Sequence, residues 1–100
     1  MESKNSVSFE IHYAKAAEKF FVKHENIRLQ YELALKKLMT DDHPEEVDLK
    51  KIRGKRNDYY RIRLGGYRVI YTIINGKIVV INTILAGPRG DVYKKMSGQK

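Results

Sequence analysis

Between residues 59 and 85 the chain runs through three stretches of alternating apolar and polar side chains, separated by two turn signals. Tyr59-Tyr60-Arg61-Ile62-Arg63-Leu64 is the first, and Gly65-Gly66 follows it. Tyr67 to Ile74 is the second, Asn75-Gly76 follows, and Lys77 to Leu85 is the third. Period-two alternation places successive side chains on opposite faces of a strand. Asn-Gly is the strongest short hairpin signal. A chain holding this segment must build an antiparallel sheet, and its remaining residues must cover the sheet's apolar face.

The first half supplies that cover. Val7-Ser8-Phe9-Glu10-Ile11 alternates as a half-buried strand does. Residues 13–23 predict a helix with Tyr13, Ala16, Ala17, Phe20 and Phe21 on one stripe. Asn26 is placed to cap a second helix, in which Ile27, Tyr31, Ala34, Leu35 and Leu38 repeat at helical spacing. Pro44 ends it, because the residue before proline disfavours helix. So short a link implies a helical hairpin. Glu45 to Asp58 is irregular and charged, with Val47, Leu49 and Ile52 as its apolar anchors. Ala86-Gly87-Pro88-Arg89-Gly90 breaks the third strand, Asp91 to Met96 suits a short helix, and Ser97 to Lys100 is expected to fray. The expected fold is one α+β domain over residues 1–100, ordered β-α-α-β-β-β, with the helical hairpin on one face of a mainly antiparallel sheet and a short C-terminal helix.

Composition narrows the chemistry. The 100 residues include no Cys, which excludes disulfides, a thiolate nucleophile and Cys-ligated metal. The polar, charged N-terminus does not read as a secretory signal. Asn75, Gly76, Lys77 and Asn82 interrupt the longest apolar stretch, so no membrane span is expected. Residues 1–50 carry 8 basic and 10 acidic side chains, a net of −2; residues 51–100 carry 12 and 2, a net of +10. A half this basic suits a polyanion, either nucleic acid or a very acidic protein. On charge alone, a basic surface kept for solubility is the alternative.

Alternation also assigns the faces. Ile62 and Leu64 point one way, with Arg61 and Arg63 opposed to them; Val69, Tyr71 and Ile73 oppose Arg68. An unpaired guanidinium is costly to bury, so Arg61, Arg63 and Arg68 are expected on the face away from the helices. Arg89 follows the last strand, and Tyr93 is four residues on. Arginine's planar fork matches phosphate oxygens and stays charged at any working pH. Convergent guanidiniums would stabilise a pentacovalent phosphate. A solvated basic face that resists edge pairing is the other reading.

The runs Ile52-Arg53-Gly54-Lys55 to Tyr60-Arg61-Ile62-Arg63-Leu64, Gly66-Tyr67-Arg68-Val69-Ile70-Tyr71 and Ala86-Gly87-Pro88-Arg89-Gly90-Asp91-Val92-Tyr93 resemble the RelE/ParE toxin superfamily, and its RelE branch most closely, over roughly residues 47–94. The resemblance implies a cytoplasmic toxin of a type II toxin–antitoxin pair. It implies an endoribonuclease, an mRNA interferase that cuts messenger RNA in the ribosomal A site without a metal or other cofactor, and an acidic antitoxin that wraps and blocks it. By position, Arg61 and Arg63 fall where RelE enzymes place two basic strand residues. Arg68 matches the Gly-Tyr-Arg arginine, Arg89 the arginine after the last strand, and Tyr93 the terminal tyrosine. RelE enzymes often carry lysine at the first two positions, the second serving as general base. Arginine is a poor base, which leaves Tyr93 as the best substitute and Asp91 as a weaker one. Lys50, Lys51, Arg53, Lys55 and Arg56 are placed to bind ribosomal RNA phosphates. The rivals are a ParE-like inhibitor of DNA gyrase that cuts nothing, and an inactive module that only binds antitoxin or operator DNA.

Other signals carry less. His12, His24 and His43 lack the i, i+4 spacing of a helical zinc site. Asp41, Asp42, Glu45, Glu46 and Asp48 read as a solvated acidic loop without an EF-hand pattern.

Overall fold

A computed structural model describes residues 8–98. The order is β1 (Phe9–Tyr13), α1 (Lys15–Lys23), α2 (Glu25–Thr40), a 3₁₀ turn (Pro44–Glu46), β2 (Leu49–Ile52), β3 (Tyr59–Leu64), β4 (Tyr67–Ile74), β5 (Val79–Pro88) and α3 (Arg89–Gly98). The five strands lie in the order β1-β5-β4-β3-β2, antiparallel except for the parallel β1–β5 pair. This is the α+β architecture expected, with one strand more. β2 forms inside the segment that reads as irregular, because its register with β3, not its own composition, makes it a strand.

Several boundaries differ from expectation. Tyr13 belongs to β1, so the first helix begins at Lys15, and Ala16 is exposed while Ala17 and Phe21 are buried. Asn26 lies inside α2. His24 alone joins the helices, and its side chain makes no capping bond. The second helix ends at Thr40 as expected, with Asp41 in the left-handed region. Gly65-Gly66 closes the β3–β4 turn with Gly65 at φ 62°, whereas Asn75-Gly76 sits in a longer loop, residues 75–78. Helix α3 already includes Arg89 and runs to Gly98, past the expected fraying point. Val7, at the start of the expected first strand, and Gln99 and Lys100, at the expected frayed end, fall outside the described residues.

The core on the α1/α2 face contains Ala17, Phe21, Ile27, Tyr31, Ala34 and Leu35 from the helices and Ile62, Val69, Tyr71 and Ile81 from the sheet. Ile70 alternates with Val69 and Tyr71, so it faces the other way. There it forms a second, smaller cluster with Leu85 and Val92, backed by Tyr93 and Met96. Helix α3 therefore covers the sheet face opposite the hairpin. A bulge makes this work. Tyr71 pairs with Thr83 and Ile70 with Leu85, leaving Ile84 unmatched. One extra residue reverses the alternation of β5, turning Leu85 toward α3 while Thr83 and Ala86 serve the hairpin side.

The Tyr31 hydroxyl and Thr83 Oγ1 lie 2.6 Å apart and share a buried hydrogen bond across the main core. Tyr31→Phe leaves the threonine oxygen buried without its partner. A loss of about 1–3 kcal/mol is expected, read as a lower urea midpoint at unchanged slope. Adding Thr83→Val should recover part of that loss.

Candidate functional site

Cross-strand register assembles the basic face. Arg63 is paired directly with Arg68, and Arg61 with Lys50. Residues opposed in register share a face, so these four side chains lie on the α3 side of the sheet. Arg61 is also paired with Ile70, and Tyr93, on the face of α3 that packs on the Ile70 cluster, lies beside them.

The arginines are not equivalent. Arg63 is open, its side chain 55% exposed. Arg61 is largely enclosed at 13%. Arg68 is buried at 7%, against the expectation of an exposed strand arginine. Its burial is possible because the β3–β4 turn satisfies it: Nη1 donates to Gly65 O at 2.9 Å and to Tyr67 O at 3.0 Å. The Nε atoms of Arg61 and Arg68 are buried with no acceptor among the described residues. Unsatisfied buried donors are costly and cluster where function demands them.

Tyr93 responds to this field. The Arg61 guanidinium is the largest influence on its phenol. Together with Arg68, it outweighs the opposing desolvation and holds the pKa below the ordinary value. Tyr13, Tyr31 and Tyr71 go the other way, each raised chiefly by burial. Tyr93 thus stands apart as a tyrosine whose phenolate the fold favours. Arg89 is exposed, with its guanidinium carbon 6.0 Å from the centre of the Tyr93 ring.

One member was missed from sequence. Asp48 reads as part of a solvated acidic run, yet its Oδ1 accepts from Arg61 Nη2 at 2.7 Å and its Oδ2 lies 3.7 Å from Arg63 Nη1. The signal was its position. Asp48 is two residues before Lys50, on the same face once β2 is recognised as a strand.

The other nominated residues are more scattered. Lys51 is paired with Tyr60, on the opposite face from Arg61, and meets Asp58 at 3.3 Å. Arg53, Lys55 and Arg56 are exposed in the β2–β3 loop. The loop bends tightly at Gly54, where a Cβ would collide with the Asn57 carbonyl. Asp91 lines a groove between α1 and α3 with Lys15, Lys19, Lys23 and Lys95, apart from the arginine cluster. His12 and His43 touch neighbouring carboxylates, and His24 stacks on Phe20.

What the cluster can do is bind a phosphate at several points and offer a tyrosine oxygen with an eased proton. Residues 11–89 match the family described as ParE toxin of type II toxin-antitoxin system, parDE. Two examples of solved structures similar to this chain come from toxin–antitoxin complexes. One is from the RelB-RelE antitoxin-toxin complex of Methanococcus jannaschii, at 29% identity and TM-score 0.55, covering 84% of this chain and 96% of that one. The other is from the archaeal RelE-RelB complex of Pyrococcus horikoshii OT3, at 29% identity and TM-score 0.59, covering 84% and 98%. No curated protein matches the sequence.

Proposed function

The chain belongs to the ParE toxin family of type II toxin–antitoxin systems, within the RelE/ParE superfamily, and from that premise we propose that it is a metal-independent endoribonuclease of the RelE kind, cutting messenger RNA in the ribosomal A site. The observation that carries this reading is the arginine face itself: Arg63 is opposed to Arg68, Arg61 is paired with Ile70, and Tyr93 packs on the Ile70 cluster beside them. That arrangement supplies a proton acceptor where the arginines would hold phosphate.

In the proposed step the substrate's 2′-oxygen bonds to the adjacent phosphorus and the bond to the 5′-oxygen breaks. The products are a 2′,3′-cyclic phosphate and a 5′-hydroxyl end. Tyr93 phenolate takes the 2′-hydroxyl proton, and solvent returns one to the leaving oxygen. Arg61 and Arg68 stabilise the charge that develops on the phosphate, Arg63 binds it, and Arg89 steadies the leaving oxygen. The arginines are too weakly acidic to exchange protons at working pH. Lys50, Lys51, Arg53, Lys55 and Arg56 bind ribosomal RNA phosphates, and the ribosome supplies the alignment that a weak base needs.

The family match itself favours the second reading, a gyrase inhibitor that cuts nothing. Primer extension on a translated message after pulse expression separates the two. Cuts in register with codons support the nuclease. An intact message together with loss of gyrase supercoiling would replace it.

The similar structures are toxin–antitoxin complexes, and an acidic antitoxin is proposed as this chain's partner. Helix α3 is its most displaceable target. A ten-residue helix is marginal alone, and Val92 is its one fully buried anchor among the described side chains. Hydrogen exchange across residues 91–96 is expected to quicken on binding if α3 is displaced and to slow if it is merely covered. Failure of any acidic partner to bind at low and at physiological salt would remove this assignment.

A further inference from the structure

Three features fix Asp48. Val47 packs against the main core on one side. On the other, the Asp48 carbonyl accepts the Arg63 N–H at 3.0 Å, extending the β2–β3 ladder by one bond. With the backbone held at both points, alternation turns the Asp48 side chain onto the arginine face, opposite Arg63 and beside Arg61. The carboxylate then spans both guanidiniums, close to Arg61 and looser to Arg63.

We propose that Asp48 is a positioning residue, a carboxylate that holds the enclosed Arg61 guanidinium against Tyr93. Arg61 is long and flexible, and its Nε has no acceptor among the described residues. Of its partners in the protein, the Asp48 bond at 2.7 Å is the short, charge-assisted one. Without it, the guanidinium is free to turn toward solvent, where hydration favours it. Arg63 needs no such restraint, because it is already exposed. The catalytic part of this inference rests on the ribonuclease reading; the geometric part does not.

Orientation and charge make opposite demands, which gives the test its force. As a bystander, Asp48 merely subtracts from the positive field of Arg61, Arg63, Arg68, Arg89 and Lys50. Removing it would then lower the Tyr93 pKa further. As a positioner, it keeps the Arg61 guanidinium beside the phenol, where the pairing of Arg61 with Ile70 and the packing of Tyr93 on the Ile70 cluster bring the two together, and removing it would raise that pKa toward the ordinary tyrosine value. The measurement is ring-labelled tyrosine NMR across pH on the free toxin, with Tyr93→Phe to assign the signal. Far-ultraviolet circular dichroism first confirms the fold of each variant. In Asp48→Ala the Tyr93 titration is expected to move upward. In Asp48→Asn, which keeps an acceptor and drops the charge, it is expected to stay or move downward. Movement of both variants downward, or no movement in Asp48→Ala, overturns the proposal. On ribosome-bound message Asp48→Ala is expected to lose about tenfold or more in single-turnover rate, with ribosome affinity near wild type. A wild-type protein that cuts nothing would remove the ribonuclease reading and leave the titration result standing.

Discussion

Alanine in place of Arg68 will lower cleavage of translated messenger RNA by about two orders of magnitude or more and will also weaken the fold. The first effect follows from position. Arg68 lies opposite Arg63 and beside Tyr93, where its charge would meet the transition-state phosphate. The second follows from burial. The guanidinium is 7% exposed and bonded to Gly65 O and Tyr67 O, so its loss leaves two turn carbonyls without their donor. A cost of about 1–3 kcal/mol is expected. Arg89→Ala is the control that separates the two effects. Arg89 is exposed, and the same substitution there should cut the rate comparably while changing stability by no more than about 0.5 kcal/mol. Single-turnover cleavage and urea unfolding on both variants read the pair. Wild-type rates in both would remove the arginine cluster as the site. A stable Arg68→Ala protein would show that the turn carbonyls find other donors.

Tyr93→Phe is expected to slow single-turnover cleavage by about 10²- to 10⁴-fold while leaving ribosome affinity nearly unchanged. The substitution removes the oxygen and keeps the ring against the second cluster, so folding is spared. The pH profile carries the mechanism. If phenolate is the base, the wild-type rate rises by about tenfold per unit while the phenol is protonated, then levels as it ionises. Because Arg61 and Arg68 lower the Tyr93 pKa, the plateau comes at lower pH than an ordinary tyrosine would give. In Tyr93→Phe the slope should disappear with the rate. Arg63→Lys should be tolerated or faster, since lysine can titrate and arginine cannot, and the loose 3.7 Å contact to Asp48 is little to lose. A dead Arg63→Lys beside an active Tyr93→Phe would transfer the essential role to the Arg63 fork.

The arginine face was legible in the chain because two local periodicities coincide on it. Alternation put Arg61 and Arg63 opposite Ile62 and Leu64, and the Gly65-Gly66 turn set the register that brings Arg68 across from Arg63. The helical repeat of Ile27, Tyr31, Ala34 and Leu35 was equally plain, because one buried stripe every 3.6 residues leaves a pattern whatever it packs against. Those features depend on neighbours a few residues away.

What the tertiary structure alone decided depends on partners far along the chain. β2 is a strand because β3 lies beside it, and its charged Leu-Lys-Lys-Ile run carries no period of its own. Asp48 could not be told from Asp41 or Glu45 until that pairing placed it against Arg61. The bulge at Ile84 has no local signature, yet it turns Leu85 to the second face and gives α3 a surface to cover. Arg68 could be buried only because a turn offered its carbonyls. Sequence by itself determined which side chains could share a face, since a strand's period is local chemistry. Only the folded chain decided which of them are enclosed, paired or left with an unmet donor, since burial and electrostatics are set by groups that approach through space.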